Sequence, residues 1–224
     1  MRNQFWKGTK AKKAIVIGAT SGIGRELALM LSQNGYTVCI TGRRSNLLEQ
    51  AQAGMNNGSF FRQMDVTDAE AAINTFNSIA EEMGGVDLVV ISAGKVFVEP
   101  ELSWQNDKIT IDTDASGFAA MASTAYRHFE AQGAGHLVGI TSVAAVRGGG
   151  TVAYNASKAF ASSFLAGLRF RTAKLGLPIQ ITDVRPGFVD TALAKGEDLF
   201  WVQPLDKAAG QIYRAIRREK MSSM

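Results

Sequence analysis

Ala14-Ile15-Val16-Ile17 runs without a polar break into a turn with three glycines, Gly18-Ala19-Thr20-Ser21-Gly22-Ile23-Gly24. A short, β-branched, wholly apolar run reads as a strand covered on both faces. Beyond the turn, Leu27, Ala28, Met30 and Leu31 fall at helical spacing between Arg25 and Asn34, and Gly35 is a good helix stop. In such a strand–turn–helix unit Gly18 allows the tight turn, Gly22 lets backbone approach an anion, and Gly24 lets helix and strand pack closely. The first N–H groups of the helix have no partner within it and suit a phosphate. The spacing differs from G-x-G-x-x-G. A glycine turn that merely packs is the competing reading, and the setting between strand and helix favours the anion.

The same alternation continues along the chain. Strands are expected at Tyr36–Thr41, Ser59–Met64, Val86–Ile91, His136–Thr141 and Ile179–Val184. Ser45 is placed as the cap of a helix through about Ala53, and Thr67-Asp68-Ala69-Glu70 starts another that ends at Met83-Gly84-Gly85. Longer helices are predicted over about Asp107–Gln132 and Val152–Lys174, and a last one over about Leu205–Glu219. Alternating strands and helices predict an open, doubly wound parallel sheet of three layers, with six or seven strands. Ligands in such sheets bind at the carboxyl ends of the strands, where the strand order reverses.

A length of 224 residues suits one domain, expected over 1–224 with a basic tail at about 1–12. Net charge is +4, which reads as a solvated surface; nucleic-acid binding through the basic ends has only charge behind it, so no nucleic-acid partner is expected. Cys39 is the lone cysteine, and His128 and His136 have no ligand spacing, so no metal site is expected. No apolar run approaches the ~20 residues that span a bilayer. Together these predict a cytoplasmic protein without a transmembrane segment.

At the end of the second strand an acidic residue would accept a ribose 2′-hydroxyl. The chain has Arg43-Arg44 there instead. Two guanidinium groups suit a 2′-phosphate, which favours NADP(H) over NAD(H), with Arg43 as the preferred ligand and a solvated loop as the alternative for Arg44. In Tyr154-Asn155-Ala156-Ser157-Lys158, the tyrosine and lysine lie four apart and share one helix face. An ammonium beside a phenol favours the phenolate and makes the phenol a usable acid or base. Ser142 lies twelve residues ahead of Tyr154 and suits polarising a substrate oxygen.

These features, in this order, resemble the short-chain dehydrogenase/reductase family from about Lys13 to Thr191. The turn Gly18–Gly24, Asp65-Val66, Ser92-Ala93-Gly94, the set Ser142, Tyr154 and Lys158, and Pro186-Gly187-Phe188-Val189-Asp190-Thr191 carry the resemblance. It implies a Rossmann-like fold and NADP-dependent hydride transfer between the nicotinamide and a carbonyl or alcohol carbon of a small molecule. It also implies cofactor contacts from Gly18, Thr20, Ser21, Gly22, Ile23, Gly24, Arg43, Arg44, Asp65, Val66, Ser92, Ala93, Gly94, Tyr154, Lys158, Pro186, Gly187, Val189 and Thr191. Tyr154 would be the acid or base, Lys158 its cation and ribose holder, and Ser142 the group that orients the substrate oxygen. Asp114 falls where the family has a catalytic asparagine, and Ser92 where it has Asn before Ala-Gly. These departures favour the alternative, a dinucleotide-binding regulator with weak turnover, whereas the intact Ser142, Tyr154 and Lys158 favour an enzyme. Relatives pair through the helices expected at 107–132 and 152–174, so a homodimer or homotetramer is implied, with Ala119, Ala120, Ala122, Phe160, Phe164 and Leu168 as the contact face or part of the core. The stretch Ala192–Pro204 stands where the family has a substrate lid. Leu193, Leu199, Phe200 and Trp201 there line an apolar pocket or pack on a helix.

Overall fold

A computed structural model describes residues 12–56, 58–98, 101–193 and 201–217. The basic tail up to residue 11, Glu99 and Pro100, the lid residues Leu199 and Phe200, and the end of the chain from 218 lie outside the described residues. Among the described residues six strands alternate with helices. The strands are β1 (Lys12–Ile17), β2 (Tyr36–Gly42), β3 (Phe60–Gln63), β4 (Leu88–Ile91), β5 (Gly135–Ile140) and β6 (Ile179–Val184). The helices are α1 (Gly22–Gln33), α2 (Ser45–Gln52), α3 (Ala69–Met83), α4 (Trp104–Ile111), α5 (Phe118–Gln132), α6 (Val152–Leu175) and α7 (Leu205–Arg217).

The sheet is parallel throughout and ordered β3-β2-β1-β4-β5-β6. Chain order reverses direction between β1 and β4, which opens the crevice used by ligands in such sheets. The period of two along β1 explains the layering. Ala14 and Val16 face one side, packed with Leu27, Leu31, Leu48, Ile212 and Ile216 from α1, α2 and α7. Ile15 and Ile17 face the other, packed with Phe76, Met121, Phe129 and Leu165 from α3, α5 and α6. Both faces are dry, so the strand had to be apolar at every one of these positions.

The strands shift from the sequence expectation by at most two residues at their ends, and three helices differ in ways that matter for the site. The first helix starts at Gly22, so the last two turn glycines already belong to it. Ser45 is the first helical residue of α2 and not its cap, a position taken by Arg44 without a side-chain capping bond. The helix expected over 107–132 begins at Trp104 and is interrupted by a π-helical turn, Asp112–Gly117, between α4 and α5. A wider turn of this kind leaves no trace in apolar spacing, and such turns gather at functional sites. Asp68 caps α3 by accepting the Ala71 N–H at 3.1 Å, in the segment expected to start that helix.

Candidate active site

The expected site residues all sit at the carboxyl edge of the sheet. Gly18 leaves β1 with φ +90°, and a Cβ there would lie 2.3 Å from the Ala93 nitrogen. The turn after β1 therefore presses directly against Ser92-Ala93-Gly94 after β4, and Ser92 N–H donates to the Ile17 carbonyl at 2.8 Å. Thr20 and Ser21 close the turn, and Gly22, Ile23 and Gly24 form the first turn of α1. Ser21 makes no side-chain capping bond, so the first N–H groups of α1 have no side-chain cap from it. A pyrophosphate is what such an end accepts, and the close β1–β4 crevice fits a dinucleotide laid across it.

Arg44 lies over this turn, its Nη2 donating to Thr20 Oγ1 at 2.5 Å and to Ser21 Oγ at 3.1 Å. Arg43 turns the other way, with Nη1 4.0 Å from Asp65 Oδ2. That ion pair is exposed on both sides and contributes little stability. Arg43 and Asp65 border a cavity of about 300 Å³ with Gln63, Met64, Ala72 and Thr75. Asp65 Oδ1 accepts from the Thr67 N–H and hydroxyl, which fixes the turn after β3. Val66 packs against Gly117 so closely that a Cβ on the glycine would lie 2.7 Å from the Val66 carbonyl oxygen.

Tyr154 and Lys158 are one turn apart on α6, with the ammonium 5.4 Å from the centre of the phenol ring. Ser142 follows β5 and caps a short 3₁₀ turn, Val143–Val146, by accepting the Ala144 N–H on its Oγ at 3.0 Å. Its hydroxyl proton is left to donate elsewhere. Lys158 is buried, with Nζ 3.4 Å from the Ile140 carbonyl and 3.0 Å from Asp114 Oδ2. Asp114 stands in the π turn. Its Oδ1 accepts the Lys95 N–H at 2.7 Å, and Oδ2 faces the Lys158 ammonium. Burial pushes the Asp114 carboxyl up, against the pull of Lys158. For Lys158, burial is the largest single influence and works against the charge, but the Asp114 carboxylate and the Tyr154 phenol together outweigh it and hold the ammonium above its ordinary range. Gly94 makes room for the pair, since a Cβ there would lie 3.1 Å from Lys158 Nζ. A narrow cleft beside Tyr154 is lined by Phe97, Asn106, Thr110, Gly150 and Val152.

After β6, Pro186 accepts the Val143 N–H at 3.0 Å on its carbonyl, and Gly187 follows it. Val189 bridges to Gln203, and Asp190 N–H donates to the Gln203 carbonyl at 2.9 Å, so the two ends of the expected lid meet. Thr191 lies against Gly22, its Cγ2 3.4 Å from where a Cβ would stand. Leu193 is about half exposed and Trp201 is exposed at 90%, too open to line a closed pocket or to pack fully on a helix.

Sequence reasoning missed a polar knot beneath the site. Asp183 of β6 accepts from Thr141 Oγ1 at 2.5 Å, Ser162 Oγ at 2.6 Å and Arg185 Nε at 2.8 Å. Despite burial, these bonds hold its carboxyl below the usual range. Thr141 precedes Ser142 and Ser162 lies one turn beyond Lys158, so the knot ties together the elements that carry both. The one available signal was a carboxylate in the strand Ile179–Val184, beside the polar Gln180 and Thr182.

The sequence profile of the short chain dehydrogenase family matches residues 12–199. The chain belongs to the short-chain dehydrogenase/reductase family. An oxidoreductase of Myxococcus xanthus is 38% identical over 190 residues, covering 81% of this chain and 74% of the relative. An oxidoreductase of Mycobacterium tuberculosis is 31% identical over 225 residues, covering 95% and 87%. Among solved structures, the closed form of a serine dehydrogenase with NADP+ superposes at TM-score 0.82 with 26% identity, covering 92% of this chain and 89% of that one. A Tyr-to-Phe variant of ElxO with NADPH superposes at 0.85 over 96% and 95% of the two chains, a likeness of fold at 23% identity. This short-chain dehydrogenase/reductase is thus an oxidoreductase of a family built around a nicotinamide cofactor. Among its described residues no helix is long and apolar enough to cross a membrane.

Proposed function

We propose that this protein reduces a small carbonyl compound with NADPH, or oxidises the corresponding alcohol with NADP+. The observation that carries the reading is Tyr154 beside the buried Lys158 on α6, the helix whose Asn155 holds the turn that Ser142 caps. A bound nicotinamide supplies or takes the hydride. Ser142 donates its hydroxyl proton to the substrate oxygen, its Oγ being held in place by the Ala144 N–H. Tyr154 gives the proton to that oxygen in reduction and takes it back in oxidation. Lys158, kept cationic by Asp114, stabilises the phenolate that remains.

Arg43 and Arg44 support NADP over NAD. Arg43 borders the cavity after β2 and β3, and Arg44 lies on Thr20 and Ser21, so a 2′-phosphate between them meets two guanidinium groups. The NADP(H) named for the solved relatives agrees with this choice. Gly18, Gly22, Ile23 and Gly24 hold the pyrophosphate, Asp65 and Val66 the adenine, and Ser92, Ala93 and Gly94 the adjoining ribose. Pro186, Gly187, Val189 and Thr191 cradle the nicotinamide. Self-association through α5 and α6 is supported by exposed Phe160, whose ring lies 5.8 Å from Phe164, whereas Ala122 belongs to the core. The chain is read as one domain in the cytoplasm.

A panel of aldehydes and ketones scored by NADPH consumption tests the reading. Turnover with NADPH that vanishes in Tyr154→Phe supports it. NADPH binding without turnover of any carbonyl or alcohol would favour the regulator instead, for which the carboxylate at Asp114 is the one specific observation.

A further inference from the structure

We propose that Asn155 is a positioning residue, whose amide latches the turn after Ser142 to the helix that carries Tyr154 and so sets the spacing of the two hydroxyls. The inference rests on the reading of Ser142 and Tyr154 given above. Thr151 is the N-cap of α6, yet its side chain makes no capping bond. Its Oγ1 donates instead to Asn155 Oδ1 at 2.9 Å. That bond orients the amide, and both of its N–H groups then face the turn. Nδ2 donates to the Ala144 carbonyl at 3.0 Å and to the Arg147 carbonyl at 3.0 Å. These two residues bracket the end of the 3₁₀ turn that Ser142 caps.

Ala144 is therefore held twice. Its N–H donates to the Ser142 hydroxyl oxygen, and its carbonyl accepts from Asn155. On its other side the turn is tied by Val143 N–H to the Pro186 carbonyl. The chemistry requires an amide at 155, with one acceptor for Thr151 and two donors for carbonyls. A carboxylate would set negative charge against two carbonyl oxygens, and an alanine would leave both without this partner. Gly149 completes the latch. A Cβ at 149 would lie 3.0 Å from Asn155 Nδ2 and 3.2 Å from Oδ1, tighter than side chains normally tolerate.

The test uses the full chain with NADPH and three probes, benzaldehyde, acetophenone and 2,3-butanedione, on Asn155→Ala, Asn155→Asp and Gly149→Ala. Amide hydrogen exchange over residues 143–150 and tryptic cleavage after Arg147 read the latch without turnover. Both should rise about tenfold in Asn155→Ala, with exchange in β1 and α1 and the NADPH affinity unchanged. For the best probe, kcat should fall about 10- to 100-fold while its KM changes less than about threefold, the pattern of a displaced reacting group. Asn155→Asp should fall further and recover in part as the pH is lowered and the carboxyl becomes a donor. Gly149→Ala, which leaves Asn155 intact, should move in the same direction. Unchanged exchange and cleavage would overturn the latch, and faster exchange with unchanged kcat would overturn the positioning role. If the unaltered protein reduces none of the probes, the proposed reaction and the positioning role fail together for these carbonyls, and exchange alone still decides the latch.

Discussion

Asp114 Oδ2 lies 3.0 Å from Lys158 Nζ, and the two side chains are 0% and 6% exposed. The π turn delivers the carboxylate and α6 the ammonium. Removing either partner of such a buried pair leaves an uncompensated charge, at a cost of about 3–5 kcal/mol. Asp114→Ala should therefore lower the urea midpoint strongly. Asp114→Asn should cost less, because the amide still offers an oxygen to Lys95 N–H.

The same pair sets a pH limit. Asp114 raises the titration of Lys158, while burial lowers it. With Asn at 114 burial has less to oppose it, and the ammonium is lost at lower pH. The alkaline limb of kcat against pH should therefore move to lower pH in Asp114→Asn. A limb that stays in place would show that Lys158 does not depend on Asp114 for its charge.

Tyr154→Phe removes the proton donor and leaves the ring. Turnover should fall about 10²–10⁴-fold, the usual contribution of a positioned acid. NADPH binding followed by fluorescence should change less than about twofold. Ser142→Ala should lower kcat and free the Ala144 N–H, since its acceptor is lost.

Arg43→Ala and Arg44→Ala should each weaken NADPH at least about tenfold, one guanidinium–phosphate contact being worth about 1.5–3 kcal/mol. NADH binding should be nearly unchanged in both. Tighter NADH than NADPH binding by the unaltered protein would refute the assignment of a 2′-phosphate to this corner.

His136 predicts an acid-side stability slope. It is buried in β5, shares a hydrogen bond of 2.9 Å with Thr182 Oγ1, and burial pushes its titration down from 6.5 to about 4. The unfolded chain thus binds the proton more readily. Stability is full above about 6.5 and is lost as pH falls toward 4, by roughly 3 kcal/mol in total. Thermal unfolding between pH 7 and 4 should show this slope, and His136→Asn should flatten it.

Much of the fold was legible in the sequence for a physical reason. Strands covered on both faces must be apolar at every position, so the runs at 14–17 and 88–91 stand out whatever surrounds them. Turns that need positive φ or bare backbone demand glycine, so Gly18 marks the first crossover. The π turn at Asp112–Gly117 was not legible, because one wider turn barely disturbs the apolar spacing on either side. The capping role given to Ser45 failed because a hydroxyl next to a helix start reads alike at the cap and one residue inside it.

By itself the sequence determined the layered parallel sheet, the place of the crevice and the residue types gathered along its edge, because burial and backbone conformation act on each position locally. Only the tertiary structure decided which of those residues meet. Tyr154 and Lys158 are neighbours by helix geometry alone, but Asp114 reaches Lys158 from 44 residues away through a π turn. Arg43 and Arg44, adjacent in sequence, part toward Asp65 and toward Thr20. Asn155, silent as a spacing, holds three separate points of backbone and side chain. Hydrogen bonds and ion pairs depend on distances of about 3 Å and on direction, and neither is specified until the helices have packed on the sheet.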